Sequence, residues 1–137
     1  MRPLLDINVV LDILLDRKPH VDASAAVWAA VESGRVEGFL PAHAMTTIHY
    51  LVHKERGAAK ARSVISALLR VFEIAPVDAA VIRHAVELPS SDFEDSVTAA
   101  AAAAAGCDLI VTRDPKGFRG SPVQALAPEA ATALLGV

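Results

Sequence analysis

The sequence is short of several things, and each shortage narrows what the protein can be. Cysteine is nearly missing: Cys107 is the only one in 137 residues. No disulfide can form within the chain, a thiolate metal cage is not expected, and a reducing cytoplasm is the natural setting. Aromatic residues make up only 4% of a chain that is 53% hydrophobic. With so many alanines, that balance predicts a closely packed, helix-rich protein and argues against disorder. Long apolar runs are missing too, since the alanine stretch Ala99 to Ala105 is too short and too weakly apolar to cross a membrane. Asp6, Asp12 and Asp16 interrupt the apolar N-terminus, which a secretory signal does not tolerate. There is no excess of basic charge either: the formal net charge is −3. Without a global field to attract nucleic acid, any such contact must come from local patches, which counts against a pure binding module more than against an enzyme.

What the chain does have is an alternation of short strands and helices. Pro3 to Leu5 reads as a buried strand, followed by a helix to about Arg17 and a second helix through "ASAAVWAAVE" to Gly34. "VEGFLP" reads as the next strand, "AHAMTTIHYLVHKERG" as a helix stopped by Gly57, and "AKARSVISALLRV" as another helix. "FEIAPV" is a third strand, and Asp78 caps the helix "AAVIRHAVEL". "SSDFEDSVTAAAAAAAGCDLIVTRD" holds a capping box, Ser91 with Glu94, then an alanine-rich helix and the strand "DLIVT". "PVQALAP" and "PEAATALL" supply a last strand and helix. The expectation is one domain over residues 1–137, an α/β protein of three α/β/α layers around a mostly parallel sheet.

Ligands in such sheets bind beyond the carboxyl ends of the strands. Asp6 and Asp114 each follow a core strand at once, and Asp95 lies in the first turns of the helix that leads into the second of these strands. Taken singly, each acid reads equally well as a helix cap, a dipole partner or a turn residue. Taken together, they converge on one edge. Ionised carboxylates a few Å apart repel unless a cation compensates them, and carboxylate with water ligands suits Mg²⁺ or Mn²⁺. Such an ion activates water for attack at phosphorus, so the chemistry expected is hydrolysis of a phosphate ester or diester. Asp12 and Asp16, beside an apolar helix stripe, are expected to be solvated.

Two stretches resemble one family. "LLDINVVLD" is similar to the opening of PIN-domain proteins, an acid followed two residues later by Asn and then a helix. "DFEDSVTAAAAAAAGCDLIVTRD" resembles their later half, an acid at a helix start, an alanine-rich helix and a strand ending in Thr-Arg-Asp. The resemblance covers nearly the whole chain and extends to the VapC-type ribonuclease toxins. It implies a PIN-like fold, metal-dependent endoribonuclease activity on an RNA substrate with Mg²⁺ or Mn²⁺, a small antitoxin that blocks the site, and a homodimer. Asp6, Asp95 and Asp114 match the family's metal-binding acids, and Asn8 and Thr112 its polar supports. Two departures stand out. Thr47 occupies the position of a helix glutamate, and Gly117 precedes Phe118 where the family often has Asp-Phe. Asp92 or Glu94 is the candidate to compensate.

Other features carry less. His49 and His53 are one helical turn apart, yet Tyr50 stands where a metalloprotease helix needs Glu, and His43 has no partner at ligand spacing. Arg113 and Lys116 bracket Asp114 and are the expected RNA contacts, with Lys54, Arg56, Lys60 and Arg62 a second basic stretch. A dehalogenase-like phosphatase needs a second Asp where this chain has Asn8, and "FEIAPV" supplies no phosphoacceptor for a receiver domain. The rival from another class is a catalytically weak or inactive PIN-like protein that binds RNA or protein. No membrane association is expected. Apolar helices such as "ASAAVWAAVE" and "SVISALLRV" add to the expectation of a homodimer.

Overall fold

The computed structural model describes residues 1–137. Strand β1 (Pro3–Leu5) is followed by helices α1 (Ile7–Leu14) and α2 (Val21–Glu32), strand β2 (Phe39–Pro41), and helices α3 (Ala44–Arg56) and α4 (Ala58–Val71). Strand β3 (Glu73–Ala75), helices α5 (Ala79–Glu87) and α6 (Phe93–Ala104), and strand β4 (Leu109–Val111) come next. A 3₁₀ turn (Pro115–Phe118), strand β5 (Ala125–Leu126) and helix α7 (Pro128–Leu135) complete the chain. The five strands are parallel, in the order β3-β2-β1-β4-β5. The N-terminal strand is therefore the middle of the sheet, with Leu5 in register with Val111 of β4.

Successive strand residues face opposite sides, which divides the core in two. Leu5, Leu40, Leu109 and Val111 pack with α1, α2, α3, α4 and α7. Leu4, Phe39 and Ile110 pack with α5 and α6. All three strands β1, β2 and β4 are buried on both faces, as parallel strands flanked by helices must be. The alanine run does its packing here. Ala100, Ala101 and Ala102 are fully buried, so α6 lies close against the sheet with little side-chain volume between. Gly57, at φ +90°, ends α3 and lets α4 start at the next residue.

Three expectations need correction. The last strand shrinks to Ala125–Leu126. Helix α6 is capped by Asp92, whose carboxylate accepts the Asp95 amide, and not by Ser91. The N-cap must sit three residues before the amide it accepts, and Asp92 is the acceptor at that spacing. Asp12, expected in solvent, is fully buried, with Arg113 Nε 2.9 Å from its Oδ2. The α1 helix is short and almost wholly apolar, so the face that carries Asp12 has nowhere to go but inward. Asp16 is exposed, as expected, and takes the left-handed conformation (φ +51°) just past α1.

Candidate active site

The candidate site lies at the carboxyl edge of β1, the middle strand, and its neighbour β4. Asp6 follows β1 and caps α1: its Oδ1 accepts the Ile7 amide at 2.8 Å. The cap and the acid expected at the site are thus one and the same carboxylate. Its Oδ2 accepts the Thr112 hydroxyl at 2.9 Å and lies 3.4 Å from Asn8 Nδ2. The Asp114 amide in turn donates to Thr112 Oγ1 at 3.1 Å, and Asn8 Nδ2 lies 3.4 Å from the same oxygen. A hydroxyl has one proton to give and two lone pairs to fill, so Thr112 is fully used. Asn8 Oδ1 accepts the Arg113 amide at 3.2 Å. Asn8 and Thr112 therefore bind the start of α1 to the segment that carries Asp114.

Asp95 approaches from α6. The position of a β-carbon built on Gly117 lies 2.6 Å from Asp95 Oδ2 and 3.1 Å from Asp114 Oδ2. Two carboxylates from distant segments thus meet around one bare α-carbon. Their crowding is visible in their protonation. Burial pushes the Asp95 carboxyl up to about 7, and the negative charges of Asp92, Asp6, Asp114 and Glu94 add to the shift. Asp6 is also raised by burial, against the pull of its hydrogen bonds from Thr112 and Ile7. These acids cannot all ionise comfortably without a compensating positive charge.

A divalent cation fits this donor set by chemistry: hard carboxylate oxygens, unshared lone pairs on Asp95 and Asp114, and no competing lysine or arginine ion-paired to any of the three. No three acidic, histidine or cysteine side chains stand as a ready-made ligand sphere. Asp6 is turned toward Thr112 while Asp95 and Asp114 meet at Gly117, so side-chain rotation or intervening waters must complete the set. Mg²⁺ retains such waters readily.

Thr47 is exposed on α3 and makes no side-chain hydrogen bond, and its position four residues past His43 puts the two on one face of the helix. His43 itself was not singled out by its spacing, yet it belongs to the neighbourhood. It stands two residues past β2, at the same sheet edge, with Nε2 3.2 Å from Thr98 Oγ1. Burial lowers its pKa, while the charges of Glu94 and Asp6 oppose the shift. The signal that could have found it is a polar residue within three positions of the end of a core strand, as Asp6 and Asp114 are. Glu94 is exposed at the start of α6, and its charge is felt at Asp6, Asp95 and His43. Asp92 is engaged as the α6 cap.

Of the two expected RNA contacts, Lys116 is exposed and unpaired, whereas the Arg113 guanidinium is drawn away to Asp12. His49 and His53 have ring centroids 6.0 Å apart and no third ligand. No helix is long and apolar enough to cross a membrane.

A parallel α/β/α sheet with acids gathered at its carboxyl edge defines a class, and the comparison with known proteins identifies it. Residues 2–116 match the PIN domain family, and the chain belongs to that family. The ribonuclease VapC1 of Aquifex aeolicus (strain VF5) is 27% identical over 130 residues, spanning 91% of this chain and 89% of that protein. The crystal structure of VapBC2 from Rickettsia felis, bound to a DNA fragment from its promoter, superposes with a TM-score of 0.71 at 18% identity. The match covers 93% of this chain and 98% of that one. FitAcB from Neisseria gonorrhoeae gives a TM-score of 0.70 at 22% identity, with the same coverage.

Proposed function

We propose that the protein is a metal-dependent endoribonuclease, the toxin of a toxin–antitoxin pair, formed by one PIN-like domain over residues 1–137. The observation that carries this reading is the meeting of Asp95 and Asp114 at Gly117, beside an Asp6 tied to the same segment through Thr112. The relation to the VapC1 ribonuclease, and the likeness in fold to the VapBC2 structure, support the class of substrate and the antitoxin partner. Asp6, Asp95 and Asp114 hold Mg²⁺ or Mn²⁺ in this reading. When bound, the cation lowers the pKa of a coordinated water and offsets charge at the scissile phosphate.

The chain's own residues do the rest. Thr112 and Asn8 fix the rotamer of Asp6, so that one oxygen stays capped on Ile7 while the other remains at the site edge. Asp95, whose carboxyl burial and the neighbouring acids push up to about 7, would be held in its ionised form by a bound cation. Lys116, exposed in the 3₁₀ turn beside Asp114, meets a phosphate of the RNA backbone. Thr47 leaves the set one carboxylate short of the usual family arrangement, with Glu94 the acid nearest to replacing it. The protein acts in the cytoplasm as a homodimer.

Cleavage of a structured RNA in Mn²⁺, lost on chelation and lost in Asp6→Asn, is the expected result. A second reading, a PIN-like protein that binds RNA without cutting it, is favoured by the absence of an acid at Thr47. Wild-type protein that binds RNA but leaves it intact in saturating Mn²⁺, with Asp6→Asn binding equally, would establish that reading instead.

A further inference from the structure

We infer that Gly117 is a positioning residue of the site: its missing side chain is what allows Asp95 and Asp114 to close on one another. This rests on the metal-site reading above and adds a residue to it. The two carboxylate oxygens lie 2.6 Å and 3.1 Å from where a β-carbon at Gly117 would be, and the Asp95 carboxyl carbon lies 3.6 Å from it. A carbon and an oxygen do not approach to 2.6 Å without one of them moving. What moves is decided by what is held.

The backbone at Gly117 is held on several sides. Its amide donates to the Asp114 carbonyl at 3.1 Å, its carbonyl lies 3.4 Å from Ser90 Oγ, and the next residue, Phe118, is buried in the core. The carboxylates are the free ends of flexible side chains, on residues that still reach solvent. A methyl group at position 117 therefore leaves the turn in place and drives the carboxylates apart, Asp95 foremost. Gly117 is not among the residues with positive φ. Alanine suits its backbone, and replacing glycine by alanine at such a position stiffens the unfolded chain and tends to stabilise the fold. Stability and metal affinity should then move in opposite directions, which a general structural defect cannot produce.

The experiment compares wild type with Gly117→Ala by Mn²⁺ titration calorimetry, by melting of the metal-free protein, and by a crystal structure of the metal-free variant. The expected result is Mn²⁺ binding weaker by about tenfold or more in Gly117→Ala, in the range seen when a residue supporting metal ligands is lost. The Gly117→Ala melting temperature should be unchanged or raised, and its Asp95 carboxylate displaced. Wild-type affinity in Gly117→Ala would overturn the inference, as would an unmoved Asp95 in the crystal. If wild type binds no Mn²⁺, the metal-site reading fails, and the crystal structure still decides whether Gly117 positions the two acids.

Discussion

At the scale of the residue, the site is a conflict among acids that the fold maintains. Asp95 shows it most clearly, because its carboxyl is raised to about 7 by burial and by four neighbouring carboxylates. A carboxyl that holds its proton more tightly folded than unfolded favours the fold at low pH. That contribution is complete below the unfolded value near 4 and is lost as pH rises through about 7. Metal-free wild type should therefore be less stable than Asp95→Asn at pH 8, with the gap closing toward pH 5. Thermal melts of the two proteins across that range check the sign, and a gap independent of pH would contradict it. Saturating Mg²⁺ should restore the wild type at pH 8. The three acids were legible in the sequence because each follows a strand or opens a helix, a relation that needs no coordinates. His43 obeys the same relation at β2 but lacked a second histidine or cysteine at ligand spacing, so spacing alone passed over it. Gly117 was visible only as a departure from a motif. That its bare α-carbon faces two carboxylates is a fact of three dimensions.

At the scale of the element, α1 and the segment after β4 are bound together by more than hydrogen bonds. Asp12 on α1 is fully buried and meets Arg113, which directly precedes Asp114. Neither Asp12 oxygen finds a well-aligned hydrogen bond, so the ion pair with Arg113 is its compensation. Removing the guanidinium leaves a buried charge alone, and Arg113→Ala should destabilise the protein by about 3 kcal/mol. The double variant Asp12→Leu, Arg113→Ala should regain most of that loss, since no charge remains to be stranded. Urea unfolding of wild type, Arg113→Ala, Asp12→Leu and the double variant tests this, and additive losses would refute the coupling. Sequence reasoning placed Asp12 in water because a charge beside an apolar stripe usually belongs there. Its partner lies 101 residues later, and no local pattern announces it. The boundaries of α3, α4 and α5 were more legible, because Gly57 and Asp78 stop or start a helix through their own backbone or side chain. The cap of α6 was misread by one residue, since two polar residues compete and only the hydrogen bond chooses.

At the scale of the whole molecule, the order of strands and helices was readable, because buried parallel strands and amphipathic helices write themselves as runs and periods. Which apolar surface stays uncovered was not. Trp28 of α2 packs edge-on against Phe72, with ring centroids 5.1 Å apart, so that helix is less available to a partner than its composition suggested. The surface left open includes Leu69 on α4, 57% exposed, and Val86 on α5, 69% exposed. Ile82 stands one turn before Val86 on the same helix, also exposed. A dimer through α5 predicts that wild type scatters light as twice the monomer mass at micromolar concentration, and that Val86→Glu scatters as the monomer with an unchanged melting temperature. A monomeric wild type would remove the prediction.

The place of β1 at the centre of the sheet has a consequence for how the protein comes into being. Asp6 and Thr112, joined by one hydrogen bond, are separated by 106 residues of chain. Of the five strands, β1 is made before the others and has no neighbour on its β4 side until that late segment has also emerged. Closing so long a loop is entropically costly and slow, and nothing earlier in the chain can substitute for it. The carboxylates are therefore strangers for most of this domain's translation, and the edge where they gather cannot exist until its last strands have emerged.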